Sequence, residues 1–373
     1  MEKVKIPGRQ LQATLALFLL GTSFFSGGVS RAQQDSWICL IAAYVLSIPL
    51  YWVYSRFLEL YEGRNFFDCI MQSCGKVAGT AVCALYALFS LHVIALDLRV
   101  FTEYMRNLSL TETPLVFIAG CIVVTMVYAL RSRFSVLVRI SRPLLAAYIF
   151  LLILTVLLAQ KDLDFGNLKP FLHHSFADMT EGTLVPFSVP FGDTVLFLPA
   201  LSLLERKEKT FPVLLKGSFA GFVPLLLISL RNLLILGYSE STYMFPSYNA
   251  ASVIAVGDFI LGVEVIVGVY VLIAGFVRLC VLLYTTGSAF AAVFRFQDYE
   301  PMIIPCGVLA ITAAMLVHRD TADLFSFLNY YPFYSLPMQT LLPFLLLAVG
   351  KIRQKTGPLK KLRRKKPQNA PAP

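Results

Sequence analysis

The chain has 373 residues, 57% of them hydrophobic and 14% charged, with a formal net charge of +10 and a mean hydropathy of +0.70. A soluble domain carries charged residues at about a quarter of its length, and a single globular core cannot hide this much apolar surface. The composition therefore excludes an ordinary soluble domain and requires lipid. The basic residues sit in short segments between apolar runs and in a tail. There they read as topology signals, and no nucleic-acid partner is expected.

Ten apolar runs approach or reach the length of about twenty residues needed to cross a bilayer. They cover residues 11–30, 37–57, 79–98, 115–130 and 140–158, then 183–204, 213–236, 259–283, 302–317 and 331–350. All are expected to be helices, because an open sheet would leave backbone groups unpaired in lipid. The first run follows Lys3, Lys5 and Arg9, yet Ser30-Arg31-Ala32 is a poor cleavage site. It reads as an uncleaved first helix.

Most of the 32 Lys and Arg residues fall on the same side as the N-terminus. The other side holds Arg31, Arg99, Arg106, Lys161, Lys169, Arg231 and Arg319, while Arg278 lies within a run. The asymmetry puts both termini in the cytoplasm, which requires an even number of spans. Residues 1–350 are then a ten-helix transmembrane domain. Residues 351–373 form a basic, Pro-rich cytoplasmic tail with the composition of a disordered segment.

The seven cysteines form no C-x-x-C pair, and most fall within apolar runs as small hydrophobes. His173 and His174 are adjacent, which suits a loop better than a tetrahedral site. Neither a metal nor a cofactor is expected. The chain has no H-E-x-x-H and no G-x-S-x-G, so it does not read as an enzyme.

The sixth run is interrupted by Pro186-Phe187-Ser188-Val189-Pro190-Phe191-Gly192-Asp193. Each proline removes a backbone donor and crowds the preceding turn, and the glycine adds freedom. In the first run Gly21-Thr22 and Gly27-Gly28 are similar weak points. Runs one and six open the two five-helix halves. Paired disruption there is the sign of a five-plus-five inverted-repeat bundle with its site between broken helices.

Unwound backbone offers donors to a carboxylate and acceptors to an ammonium. Asp193 could add a formal negative charge, since an acid at membrane depth is functional by default; its alternative role is a helix N-cap. Glu264, in the eighth run, could face the bundle interior. His92 either lines the cavity or bonds a neighbouring helix. Arg278 reads as near the cytoplasmic end of its run and snorkelling, and Asp97 and Arg99 read as interfacial.

Gly21-Thr22, Gln34-Asp35-Ser36-Trp37, Asp97-Leu98-Arg99, Glu112-Thr113-Pro114 and Pro190-Phe191-Gly192-Asp193 together resemble the B subunit of spore nutrient-germinant receptors. The similarity runs over about residues 5–353, and the order and spacing of these short motifs make it specific. That family belongs to the amino acid–polyamine–organocation transporter superfamily, which implies an all-α, LeuT-like bundle with helices 1 and 6 broken. The family commonly carries Glu at the position of Asp193, so the acid is kept but shortened by one methylene.

The resemblance also implies partners, an A subunit and a lipoprotein C subunit, in the inner membrane of the dormant spore. It implies a small-molecule germinant, typically an amino acid. Matching positions make Gly21 and Val93 pocket residues. With them the candidate ligand-binding set is Gly21, Thr22, Gly27, His92, Val93, Phe187, Ser188, Val189, Pro190, Phe191, Gly192, Asp193 and Glu264. The leading function is a ligand sensor, and the alternative is a secondary transporter that moves an amino acid with a cation. Run eight has no Ser or Thr from Val265 to Val281 and run five has no interior Lys. An ion site at those places is therefore not evident.

Overall fold

The computed structural model describes residues 5–23, 32–61, 63–108, 110–205, 207–254, 262–318 and 321–356. Gly27 and Gly28, Arg31, Asp258, Arg319 and the tail beyond residue 356 lie outside the described residues. Among the described residues, every apolar run of the sequence falls mainly on helical structure. The first five are α1 (Gly8–Leu20), α2 (Ser36–Glu59), α4 (Lys76–Leu108), α5 (Leu115–Arg131) and α6 (Phe134–Leu158). A short amphipathic helix, α3 (Phe66–Cys74), precedes α4 and is capped by Asn65, whose side chain accepts from Phe67 N.

Span six begins as α7 (Phe176–Pro186), capped by Ser175. It continues through an irregular turn at Phe187–Phe191 into a 3-10 stretch, Gly192–Leu203. The second half follows as α8 (Thr210–Leu236), the short α9 (Pro246–Val253), α10 (Val263–Phe294) and α11 (Glu300–Leu316). It ends with α12 (Thr321–Leu328), α13 (Tyr331–Leu336), a π-helical turn at Pro337–Leu341, and α14 (Leu342–Thr356). Among the described residues, seven spans are long and apolar enough to cross a membrane by themselves; α5 and α11 are shorter apolar helices of seventeen residues. Large apolar side chains such as Val124, Phe150 and Val308 are exposed on the outside of this bundle, as lipid-facing positions require.

The break in span six has a local cause. Val189 has φ −124° and ψ 114°, the extended conformation that a residue preceding proline prefers. Pro190 adds the loss of its N–H. The backbone groups so released find side-chain partners on other helices. The Ser188 carbonyl accepts from Gln339 Nε2 at 3.1 Å, the Phe191 carbonyl from the Tyr51 hydroxyl at 3.4 Å, and the Leu196 carbonyl from Thr285 at 2.6 Å. Irregular backbone at membrane depth is tolerated when protein satisfies it in this way.

Contacts between connecting segments sort the two ends of the bundle. At one end, a cavity of about 1700 Å³ is lined by Lys5, Arg56, Arg64, Lys207, Lys209 and Lys351. The same end joins the N-terminal segment to the close of span six, through Ile6 N to the Leu203 carbonyl at 2.8 Å. At the other end, Asp35 accepts from Leu172 N at 2.9 Å and pairs with His174 Nδ1 at 3.1 Å.

One expectation needs correction here. Run eight was expected to end at residue 283, but α10 continues to Phe294. Its polar stretch Tyr284-Thr285-Thr286 is buried and bonded inside the bundle. Arg278 is therefore at the middle of the helix and not near its end. The α-helix of span one stops at Leu20, just before the Gly21-Thr22 weak point that the sequence marks.

Candidate functional site

The break in span six delivers Asp193 to the centre of the bundle, fully buried. Its Oδ2 lies 2.6 Å from Arg278 Nη2, and its Oδ1 accepts from the Tyr331 hydroxyl at 2.7 Å and Gln339 Nε2 at 2.8 Å. Arg278 is 1% exposed. Its Nε lies 2.6 Å from Asp97 Oδ2 on α4, and its Nη1 donates to the Phe18 carbonyl at 3.4 Å. The guanidinium also stands 4.7 Å from the Phe18 ring centroid, within cation–π range. One cation thus joins α4, α10, the broken span six and the end of α1.

The arrangement overturns three readings of the sequence. Arg278 does not snorkel, because its head is locked between two carboxylates at the helix midpoint. Asp97 is not interfacial, since α4 runs on to Leu108 and leaves it well inside the helix. Arg99 is likewise buried, pairing with Glu103 at 3.2 Å, while Glu103 also takes Arg106 at 2.6 Å. Asp193 makes no N-cap bond to the 3-10 stretch; its oxygens go to Arg278, Tyr331 and Gln339.

Gly21 packs against this cation. A Cβ there would stand 2.6 Å from Arg278 Cβ and 2.8 Å from Arg278 Cδ. Only a missing side chain lets α1 approach α10 so closely. Thr22 is buried and returns its hydroxyl to the Leu19 carbonyl at 2.8 Å. Gly192 makes a similar approach on the other side, where a Cβ would meet Gln339 Cδ at 2.7 Å.

Among the remaining candidates, Ser188, Pro190 and Phe191 are buried, and Phe187 and Val189 are half-buried beside them. Phe191 packs on Tyr44, ring centroids 5.5 Å apart. Val93 is buried on α4, one turn before Asp97. His92 sits edge-on to Phe327 and Tyr334, at 5.6 and 5.2 Å, with Nδ1 buried and unbonded. Glu264 is not brought to this cluster. It lies in the first turn of α10, fourteen residues or about 21 Å of helix rise from Arg278.

Sequence reasoning missed Asp97, Arg278, Tyr331 and Gln339 as members of one site. A usable signal was present: two acids and one arginine inside apolar runs have to find one another, because an unpaired charge there is costly.

The family model described as Spore germination protein matches residues 5–322. The chain is 25% identical over 362 residues to Spore germination protein KB of Bacillus subtilis (strain 168), covering 95% of this chain and 97% of that one. It is 22% identical over 344 residues to the Putative spore germination protein YfkT of the same strain, covering 88% and 90%. Among solved structures it is similar to Mhp1, a nucleobase-cation-symport-1 family transporter in a closed conformation with bromovinylhydantoin bound. The TM-score is 0.67 at 16% identity, over 98% of this chain and 82% of that one. The likeness establishes the all-helical, five-plus-five fold of LeuT-like transporters with its break in span six.

Proposed function

Because the chain belongs to the spore germination protein family, which makes it a multi-pass membrane protein, we propose that it binds a nutrient germinant within a receptor of the dormant spore. The ligand is a small amino-acid-like molecule held beside the breaks in spans one and six. The observation that carries this reading is the charge balance of the central cluster. Two buried carboxylates, Asp97 and Asp193, share one guanidinium. Asp193 is saturated by protein donors, but among the described residues Asp97 Oδ1 accepts no hydrogen bond. A ligand ammonium offered to Asp97 would balance the remaining charge.

The same cluster supplies a route from binding to signal. Arg278 touches α1, α4 and the broken span six at once. A ligand that draws Asp97 away from it therefore changes the packing of three helices. Binding shifts a conformation only if the two states differ in affinity for the ligand, and a shared cation provides that difference. Partner subunits of the A and C types would read the shift. The basic cavity at one end, with lysines and arginines from the N-terminal segment, the close of α2, the connections after α2 and span six, and α14, supports a cytoplasmic location for both termini and the 351–373 tail. It is in keeping with residence in the inner spore membrane.

The test is direct binding. Purified protein titrated with single amino acids should bind at least one, and Asp97→Asn should weaken that affinity about ten- to a hundredfold, the worth of a hydrogen bond to an ionised group. Spores lacking the chain should fail to respond to one nutrient class while responding to others. No binding by any amino acid, with germination normal in the deletion strain, would overturn the reading.

The transporter fold favours a second reading, a cation-coupled permease. It predicts saturable uptake into liposomes under a proton or sodium gradient. The sensor reading predicts binding without accumulation.

A further inference from the structure

The cavity at the basic end of the bundle, about 1700 Å³ in volume, carries more positive charge than its own acids balance. The six cations named above face three acids, Glu59, Glu205 and Glu208. Two of these acids are already engaged. Glu59 pairs with Arg56 at 3.2 Å, and Glu208 Oε1 accepts from Gly8 N at 2.8 Å, at the start of α1. Lys207, Lys209 and Lys351 are exposed in the cavity wall. Among the described residues these three lysines form no ion pair.

Two lining residues, Trp52 and Pro212, also belong to lipid-facing stripes. On α2, Val45, Pro49, Trp52 and Arg56 recur at helical spacing, and all four are exposed. On α8 the exposed residues Pro212, Lys216, Phe219 and Val223 repeat that spacing. The helices lie side by side, with the Tyr44 ring centroid 4.3 Å from that of Phe222 and 6.2 Å from that of Phe219. They run antiparallel, because the last turns of α2 and the first turn of α8 line the same cavity. Each stripe therefore descends about 16 Å along its helix, roughly one leaflet of a hydrocarbon core about 30 Å thick. Both finish at the basic cavity. There the Arg56 guanidinium stands 5.6 Å from the Trp52 ring centroid, and an exposed Trp beside a cation marks the depth of lipid headgroups.

We propose that the cavity and the adjoining α2–α8 face hold one anionic phospholipid. Its phosphate lies among Lys207, Lys209 and Lys351, and an acyl chain follows Trp52, Phe219 and Val45 toward the bilayer centre. Lysines without carboxylate partners suit a phosphate, and an apolar stripe at leaflet depth suits hydrocarbon. Basic pockets between membrane helices are a general form of headgroup site. An acidic protein segment would fill the cavity but has no use for the apolar stripes that lead into it. The lipid has a structural consequence. Lys5 Nζ donates to the Ser202 carbonyl and Ile6 N to the Leu203 carbonyl, each at 2.8 Å, so one cavity wall is the seam between the start of span one and the close of span six. A headgroup there ties the ends of these two spans together. This lipid site is independent of whichever ligand the central cluster takes.

The experiment gives the delipidated full chain in detergent equal amounts of phosphatidylglycerol and phosphatidylcholine with the same acyl chains. Bound lipid is counted by native mass spectrometry. Both lipids carry a phosphate, and they differ in net charge. Phosphatidylglycerol should be retained at least about tenfold over phosphatidylcholine, and the triple variant Lys207→Gln, Lys209→Gln, Lys351→Gln should bring the ratio to within about twofold. Removing three exposed arginines around the α5–α6 connection, by Arg131→Gln, Arg139→Gln and Arg142→Gln, should leave the ratio at its wild-type value. Trp52→Ala should lower retention of both lipids about threefold. Phosphatidylglycerol should raise the melting temperature of the wild type and not that of the triple lysine variant.

Equal retention of the two lipids would overturn the proposal, as would a preference that survives the triple lysine variant. A preference lost equally in the triple arginine variant would mean general surface charge, and overturns the site. Wild-type retention in Trp52→Ala overturns the placement of the acyl chain. Inorganic phosphate or glycerophosphoglycerol competing as well as intact lipid would assign the cavity to a free anion. A poly-glutamate peptide binding more tightly than phosphatidylglycerol would assign it to an acidic protein segment, and either result overturns the lipid assignment. Should the triple lysine variant not fold, a wild-type preference in all three single lysine variants overturns it.

Discussion

Arg278 Nη2 stands 2.6 Å from Asp193 Oδ2, linking the midpoint of α10 to the first turn after the break in span six. The acid that the interrupted sequence places at the site is already held by a cation from a helix 85 positions away in the chain. The break, the cation and Gly21 form one structural unit, and each can be tested separately.

Removing the cation should hurt more than removing either acid. Arg278→Gln leaves Asp97 and Asp193 buried together without a counter-charge, and breaking a buried pair costs about 3–5 kcal/mol. The purified variant should lose much of its thermal stability in detergent. Adding Asp97→Asn or Asp193→Asn to it should recover part of the loss. A double variant no more stable than the single would mean that the two carboxylates do not depend on Arg278.

Gly21 has no room for even one carbon. A Cβ at 2.6 Å from Arg278 Cβ and 3.0 Å from the Ala274 carbonyl forces α1 away from α10. Overpacking of this kind costs about 1–3 kcal/mol. Gly21→Ala should therefore lower the melting temperature as well as ligand response, and Gly21→Leu should do so more severely. A stable Gly21→Leu protein that has lost only binding would show that the helices separate without penalty.

Asp35 is fully buried and ties two connecting segments together, through Leu172 N and His174 Nδ1. Asp35→Ala strands the Leu172 N–H and should cost about 1–3 kcal/mol, the penalty of an unsatisfied buried donor. Hydrogen exchange at residues 170–175 should rise above wild type. His174→Ala leaves the backbone bond in place and should have the smaller effect. Unchanged exchange in Asp35→Ala would remove this contact as an anchor.

The side of the membrane can be read independently of function. A cytoplasm-active reporter fused after Lys366 should be active and one fused at Lys169 inactive, as the grouping of Lys5, Arg56, Lys207 and Lys351 around one cavity requires. The reverse pattern would invert every connecting segment while leaving the fold untouched.

The sequence alone determined that the chain crosses a membrane, that its apolar runs are helices, and that span six breaks at Pro186–Asp193. These follow from local physics: run length against bilayer thickness, backbone satisfaction in lipid, and proline's missing donor. The partners of the buried charges were beyond its reach. Asp97 and Arg278 were misplaced because apolar run length underestimates helices whose ends are polar but buried, as at Tyr284-Thr285-Thr286 in α10 and beyond residue 98 in α4. Glu264 was grouped with Asp193 because a place in an apolar run says nothing about depth along a helix, and it lies in the first turn of α10. Whether a charge pairs, and with what, depends on which faces of distant helices meet. The sequence read Arg278 as snorkelling and Arg231 as lying on the outer side, and only the packing buries both, giving one of them two carboxylates and the other a shell of neutral acceptors.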